Sequence, residues 1–266
     1  MSSPVSLRHY RGMSALFRGP GVALLTLFHD DGSIDRGATA GLARELVERG
    51  MRAVLVAGTT GEAATLTNAE RSALIDAVRQ AIPADVPVIA GTGAPSIRQA
   101  AGLTEEAVAA GADAMLAWQP PGGVDLPGYF KAVADAAQGR PVLAYHFPKV
   151  YPPGIGVEAL AGLAIAGQKD SSGDPNRLLD ELEHYSGDTY VGSSALLVMA
   201  GQLGATGALL ALGNVEPERC VAAFAGDAKA QREITDRHLA AGRGGVPALK
   251  RILAEDRGRP VPVRVG

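Results

Sequence analysis

Eight times between Val22 and Leu210, a short run of consecutive apolar residues opens a unit of the chain. The runs fall at 22–25, 53–56, 86–90, 114–117, 141–145, up to Lys169, at 190–192 and at 207–210. Their apolar residues are contiguous rather than alternating, as in strands covered on both faces. Helical patterns separate them. At 36–48, Leu42, Ala43, Leu46 and Val47 share one face and Gly50 closes the segment. Thr67-x-x-Glu70 and Ser96-x-x-Gln99 read as capping boxes, the second helix stopping near Gly111. Further helices are predicted at 126–138, 157–163, 177–185 and 195–203, and then at 217–224, 229–241 and 248–253. Units repeating every roughly 20–35 residues favour a closed (β/α)8 barrel, an α/β TIM barrel with a short C-terminal helical extension, over an open doubly wound sheet. The expected layout is a lead-in at 1–20, the barrel at 21–225 and the extension with an irregular tail at 226–266.

Length and composition agree with one large core: 266 residues, 47% hydrophobic and 20% charged. A net charge of −3 gives no electrostatic reason to expect nucleic acid or an anionic membrane as a partner. No apolar run reaches the roughly 18 residues of a membrane span, and the start carries Arg8, Arg11 and Arg18 without the apolar stretch of a secretory signal. Cys220 is the single cysteine, so a cytoplasmic location is expected. His9, His29, His146, His184 and His238 lack metal-ligand spacing, so no metal is expected. There is no GxGxxG and no GxxxxGK[ST], so no nucleotide cofactor is expected either.

In a barrel the chemistry gathers at the carboxyl ends of the strands, and the conspicuous polar motifs lie there. Lys169 ends the sixth run, just before Asp174-Pro175, an N-cap followed by a proline at the first helical position. It is either a solvated loop-edge lysine or a desolvated amine, its pKa lowered towards about 7–8 so that it attacks a carbonyl and forms a Schiff base. Tyr145 ends the fifth run, on the neighbouring strand. Alone it reads as a core aromatic; beside Lys169 it reads as a proton relay. Gly58-Thr59-Thr60-Gly61-Glu62 offers two hydroxyls and accessible backbone N–H groups to a small carboxylate, or is an ordinary turn; Glu62 itself reads as structural. Gly91-Thr92-Gly93 is a tight turn that lets a ligand or a neighbouring loop approach. His146 alternates away from Tyr145 and reads as structural. Gly192-Ser193-Ser194 opens a helix after the seventh run, where some barrels bind phosphate.

Gly58-Thr-Thr-Gly-Glu62, Gly91-Thr-Gly-Ala94, Tyr145-x-x-Pro148, Gly167-x-Lys-Asp-Ser171, Gly204-Ala-Thr-Gly207 and Gly213-Asn-Val215 occur in this order. As a set they resemble the dihydrodipicolinate synthase/N-acetylneuraminate lyase family of pyruvate-dependent class I aldolases, over Gly21 to Leu253. The resemblance implies that Lys169 forms a Schiff base with pyruvate or another 2-oxo acid and that Tyr145 shuttles protons. It further implies that Thr59 and Thr60, with Gly61, hold the pyruvyl carboxylate and that Leu209 lines the pocket beneath. A homo-oligomer, dimer or tetramer, is also implied. Two positions depart from the family pattern. Pro120-Pro121-Gly122 stands where many members have a tyrosine that reaches a neighbouring active site. Pro148-Lys149-Val150 stands where synthases carry an arginine for the second substrate; Lys149 should point away if that segment is extended.

Gly192-Ser193-Ser194 and 246–250 look more like the 4-hydroxy-2-oxoglutarate aldolase branch, which brings Ser193 into the candidate substrate site. The expectation is therefore an aldolase/lyase acting on a 4-hydroxy-2-oxo acid or 2-keto-3-deoxy sugar acid, with an aldehyde as the other half. A 4-hydroxy-tetrahydrodipicolinate synthase joining pyruvate to aspartate semialdehyde is the enzymatic alternative. A non-catalytic barrel that binds a 2-oxo acid is the alternative from another class.

Overall fold

The structure is a computed structural model that describes residues 15–122 and 125–265; the expected lead-in up to position 14, and Gly123, lie outside the described residues. Eight parallel strands close into a barrel in sequence order: β1 (Gly19–Ala23), β2 (Val54–Val56), β3 (Val88–Gly91), β4 (Ala114–Trp118), β5 (Val142–His146), β6 (Gly167–Asp170), β7 (Asp188–Val191) and β8 (Gly207–Leu210). The α/β TIM-barrel expectation holds. Closure runs through β8 and β1, with Gly19 opposite Gly207 and Val22 opposite Leu210. Strand β1 begins three residues earlier than the apolar pattern suggested, because Gly19 and Pro20 already pair with β8, although neither has the side chain of a strand former.

The helices are α1 (Arg36–Glu48), α2 (Asn68–Ala81), α3 (Ile97–Ala109), α4 (Leu126–Ala136), α5 (Val157–Leu160), α6 (Pro175–His184), α7 (Leu197–Gln202), α8 (Pro217–Phe224), α9 (Ala228–Glu233) and α10 (Thr235–Arg257). Their starts obey the predicted signals. Thr67 and Glu70 make a reciprocal capping box on α2, and Asp174 accepts from Asn176 N–H at the head of α6. At α3 only half of the box forms: Ser96 accepts the Gln99 N–H while its hydroxyl donates to Gln99 Oε1. The last helices differ from expectation. Helix α9 stops at Glu233, and α10 runs on to Arg257 with a break at Gly245 (φ 58°), two residues before Pro247.

Two apolar layers result. The larger lies between strands and helices, and a smaller one fills the barrel, built from Ala23, Leu55, Ile89, Leu116, Leu143 and Leu209 among others. Phe17 plugs the amino-terminal mouth. Its ring stacks on Tyr190 at 4.4 Å, and the Tyr190 hydroxyl donates to Phe17 O at 3.0 Å. At the opposite end Asn214, from the Gly213-Asn-Val215 motif, accepts from Leu25 N–H at 3.0 Å and donates to Ala23 O at 2.7 Å, which ties β1 to the loop after β8.

The tail beyond α10 is irregular, as expected, yet firmly attached. Arg264 and Val265 both donate backbone N–H to Glu62 Oε2 at 2.7 Å. Lys250 of α10 pairs with the other oxygen of Glu62 at 2.5 Å, both side chains being buried. Among the described residues no helix is long and apolar enough to cross a membrane.

Candidate active site

Lys169 and Tyr145 stand directly opposite each other in the register of β5 and β6. Because side chains alternate along a strand, both point into the barrel, while Gln168, His146 and Asp170 point out towards the helices. The Lys169 amine lies 4.5 Å from the centroid of the Tyr145 ring. It is 4% exposed, and no carboxylate among the described residues pairs with it. Burial alone brings its pKa down to about 7, so a large fraction of it is the neutral, nucleophilic amine near neutral pH. Gly192 makes room for it: a Cβ there would sit 3.0 Å from Lys169 Cε.

Tyr145 is pushed the other way. Burial raises its pKa above that of a free phenol, with the nearby Tyr151 adding to the effect, while hydrogen bonds from Ser171 and Thr59 oppose it. It is therefore a protonated donor across the ordinary pH range, poised to give a proton to a leaving hydroxyl or a new alkoxide. Asp170 faces away from this chemistry. Its carboxylate accepts from the Ser172 N–H at 2.8 Å and the Ser172 hydroxyl at 2.9 Å, which fixes the loop directly after Lys169. His146 accepts the Ile155 N–H at Nδ1, and burial lowers its pKa to about 4, in keeping with the structural reading.

The turn after β2 is framed by two left-handed non-glycine residues, Ala57 (φ 52°) and Glu62 (φ 57°). Such residues cost of order 1 kcal/mol each and persist only where their surroundings hold them. Here the Thr26 hydroxyl donates to Gly61 O at 2.7 Å, and the Lys250 and Arg264–Val265 contacts hold Glu62. Glu62 N–H donates to Thr59 O and Ala63 N–H to Gly58 O. The N–H groups of Thr59, Thr60 and Gly61 have no acceptor among the described residues. Free backbone N–H groups on a turn are suited to binding a carboxylate.

A cleft of about 620 Å³ opens above Tyr145. Thr59 and Tyr145 line it, with Leu116, Trp118, Tyr151 and Arg71. Lys169, whose amine sits over the Tyr145 ring, is not among the lining residues, and neither are Thr60 and Gly61. Leu209 is fully buried in the barrel interior, 3.1 Å from where a Gly21 Cβ would be. Ser193 stands on the β7 side, its hydroxyl accepting the Ala195 N–H at 3.4 Å. The segment after β7 opens as a 3-10 turn at Ser194–Leu196, with the Ser194 hydroxyl bonded to His238 Nδ1 at 2.8 Å.

Sequence reasoning missed Tyr151 and Trp118. Residues 148–150 form a turn rather than an extended segment, with Val150 and Tyr151 N–H both donating to Phe147 O, so the alternation argument for Lys149 does not apply. The turn leaves Lys149 and Val150 exposed and swings Tyr151 inward. Its ring stacks on Trp118 at 4.5 Å, and its hydroxyl lies 2.9 Å from Thr59 Oγ1. Gly93 admits Trp118, since a Cβ there would collide with the indole, so the Gly91-Thr92-Gly93 turn makes space for a side chain. The only available signal was a tyrosine before Pro152-Pro153-Gly154, which by composition reads as a loop. Among the described residues no group of three or more His, Cys, Asp or Glu could hold a metal ion.

The sequence profile of the dihydrodipicolinate synthetase family matches residues 16–240. The chain belongs to this family. It is 36% identical over 219 residues to an uncharacterised DapA-like lyase of Halobacterium salinarum, covering 79% of this chain and 72% of that one. It is 34% identical over 263 residues to the 4-hydroxy-tetrahydrodipicolinate synthase of Pseudomonas aeruginosa, covering 94% and 87%. The chloride-inhibited dihydrodipicolinate synthase of Acinetobacter baumannii, crystallised with pyruvate, superposes with a TM-score of 0.84 at 26% identity, over 94% of this chain and 92% of that one. Members of the family are pyruvate-dependent lyases, and this chain is an enzyme of that type rather than a non-catalytic binding barrel.

Proposed function

We propose that this enzyme is a class I aldolase that makes or breaks a carbon–carbon bond beside a pyruvate enamine carried on Lys169. The observation that supports this most strongly is a buried amine without a counter-charge, at a pKa of about 7, registered against a phenol. In this reading Tyr145 donates and recovers the protons of carbinolamine formation, dehydration and aldol chemistry. The hydroxyls of Thr59 and Thr60 and the N–H groups up to Gly61 hold the pyruvyl carboxylate. Ser193 meets the distal part of the substrate from the β7 side, and Leu209 lines the pocket beneath the pyruvyl group. The substrate is a 4-hydroxy-2-oxo acid or a 2-keto-3-deoxy sugar acid, and the enzyme works in the cytoplasm as a homo-oligomer. Treatment with pyruvate and borohydride is expected to inactivate it and leave a reduced adduct on Lys169. An adduct mapped to another lysine, or none, overturns the proposal.

The names of relatives such as the Pseudomonas aeruginosa protein favour a second reading, condensation of pyruvate with aspartate semialdehyde. Against it, the turn expected to present an arginine to the second substrate presents Val150 instead, 43% exposed. Arg71 does line the cleft, but each of its two terminal nitrogens already donates to a backbone carbonyl, Gly91 O and Ala63 O. Losing a charge-assisted contact costs roughly 1.5–3 kcal/mol, about one to two decades in rate. Synthase turnover is therefore expected to fall below turnover of the best 4-hydroxy-2-oxo acid in a side-by-side panel. A kcat/KM for the synthase reaction above about 10⁴ M⁻¹s⁻¹ and above every aldol tested establishes the second reading instead.

A further inference from the structure

Glu62 has no part in the chemistry described so far, yet its carboxylate is gripped from two distant stretches of the chain. It is buried, and it directly follows the free N–H groups of Thr59 to Gly61 in a left-handed conformation (φ 57°) that closes their turn. One carboxylate oxygen pairs with Lys250; the other accepts the N–H groups of Arg264 and Val265, each at 2.7 Å. Lys250 also donates to Pro262 O at 2.7 Å, so α10 and the segment 262–265 reach Glu62 together. None of residues 262–265 is buried, and Val263 is exposed, so polar contacts rather than apolar packing keep this segment in place. The Arg264 side chain supplies the anchor. Its guanidinium donates to both oxygens of Glu70, from Nη1 at 3.1 Å and from Nη2 at 2.5 Å, a fork that a lysine does not reproduce. This pairing brings the Glu70 pKa down to about 2, so the pair stays ionised at any ordinary pH. Nη1 also donates to Thr65 O at 3.1 Å and Nε to Gly32 O at 2.6 Å, and the guanidinium carbon lies 4.5 Å from the centre of the Phe28 ring. One side chain thus ties together α2, the 3-10 turn at Ala63–Thr65 and the loop after β1. The last two adjoin the carboxylate turn: Ala63 follows Glu62, and Thr26 donates to Gly61 O at 2.7 Å.

We propose that Arg264 is a positioning residue for substrate affinity: it straps the segment 262–265 onto Glu62 and so keeps the turn in the form that presents its N–H groups to the substrate carboxylate. The inference rests on the reading of Lys169 as the imine-forming residue and of the 59–61 turn as the carboxylate site. A left-handed glutamate is a strained state that persists only while its surroundings hold it. With the strap released, the turn relaxes into other forms, and affinity for the carboxylate falls in proportion to the fraction of molecules that keep the binding form. Arg264 touches no reacting atom, so the chemistry at Lys169 runs at its normal rate once the site is filled.

Borohydride trapping separates affinity from chemistry: the pyruvate concentration for half-maximal inactivation reads binding, and the limiting rate at saturation reads the imine step. Pyruvamide, uncharged and of nearly the same shape, is the control that needs no carboxylate site. Arg264→Met is expected to raise the half-maximal pyruvate concentration by about 10-fold, with the limiting rate and the pyruvamide value within twofold of wild type. Arg264→Lys keeps the charge over Phe28 and should recover part of the loss. Glu70→Gln cuts the same pair from the other side, while its amide oxygen still accepts the Thr67 N–H, and should repeat the pattern even where Arg264→Met folds poorly. A half-maximal pyruvate concentration unchanged in the folded variants overturns the strap. So does a rise shared equally by pyruvate and pyruvamide, or a fall in the limiting rate, either of which marks Arg264 as a general stabiliser of the fold. Wild-type enzyme with no preference for pyruvate over pyruvamide overturns the carboxylate site, and wild-type enzyme that forms no Lys169 adduct overturns the imine reading; the strap falls with either.

Discussion

Lys169→Met removes the amine while nearly keeping the length of the side chain, so it isolates what burial of that amine costs the fold. In the unfolded chain the lysine has a pKa near 10.5; in the folded protein burial holds it at about 7. Between these values the unfolded state binds more protons than the folded one, so stability rises with pH across this window. At about 1.36 kcal/mol per pKa unit, the penalty is of order 5 kcal/mol below pH 7 and has vanished above pH 10.5. At pH 7 itself it is of order 4 kcal/mol, since the folded lysine is then half protonated. Methionine gives up the amine contact to the Tyr145 ring, but a thioether against an aromatic face returns about 0.3–1.5 kcal/mol. The variant is therefore expected to be more stable than wild type by about 3–5 kcal/mol at pH 7, with the difference shrinking steadily towards pH 10. Urea unfolding at half-unit steps from pH 6.5 to 10 reads both quantities. Equal stabilities at pH 7, with parallel pH curves, would mean that Lys169 is charged and solvated in the folded protein. The argument for its nucleophilicity would fall with that result.

Tyr145→Phe keeps the ring over Lys169 and removes the proton donor; turnover should drop by about 10²–10⁴-fold with the fold intact, as judged by circular dichroism, and near-wild-type turnover would reduce Tyr145 to packing. Lys250→Met strands the buried Glu62 carboxylate and should destabilise by about 3–5 kcal/mol in urea unfolding. Adding Glu62→Gln should recover part of that loss, and a double variant no better than the single one would deny that the two side chains act as a pair.

The barrel and its chemical end were legible in the sequence because both rest on local signals. Apolar runs at 53–56 and 114–117 declare buried strands whatever surrounds them, and Thr67–Glu70 and Asp174–Pro175 fix helix starts within four residues of chain. Lys169 and Tyr145 could be placed at strand ends for the same reason, and neighbouring parallel strands of similar phase bring them face to face. What the tertiary structure decided depends on residues far apart in the chain. The pKa of Lys169 is set by desolvation from all sides and not by any sequence neighbour. Glu62 is fixed by Lys250 and by the backbone of Arg264, about 190 and 200 positions away. Tyr151 meets Thr59 across 92 residues, through a turn whose sequence specifies only that the chain reverses. Periodicity constrains how a segment buries its faces, but it carries no information about which side chains meet once eight segments converge on one axis.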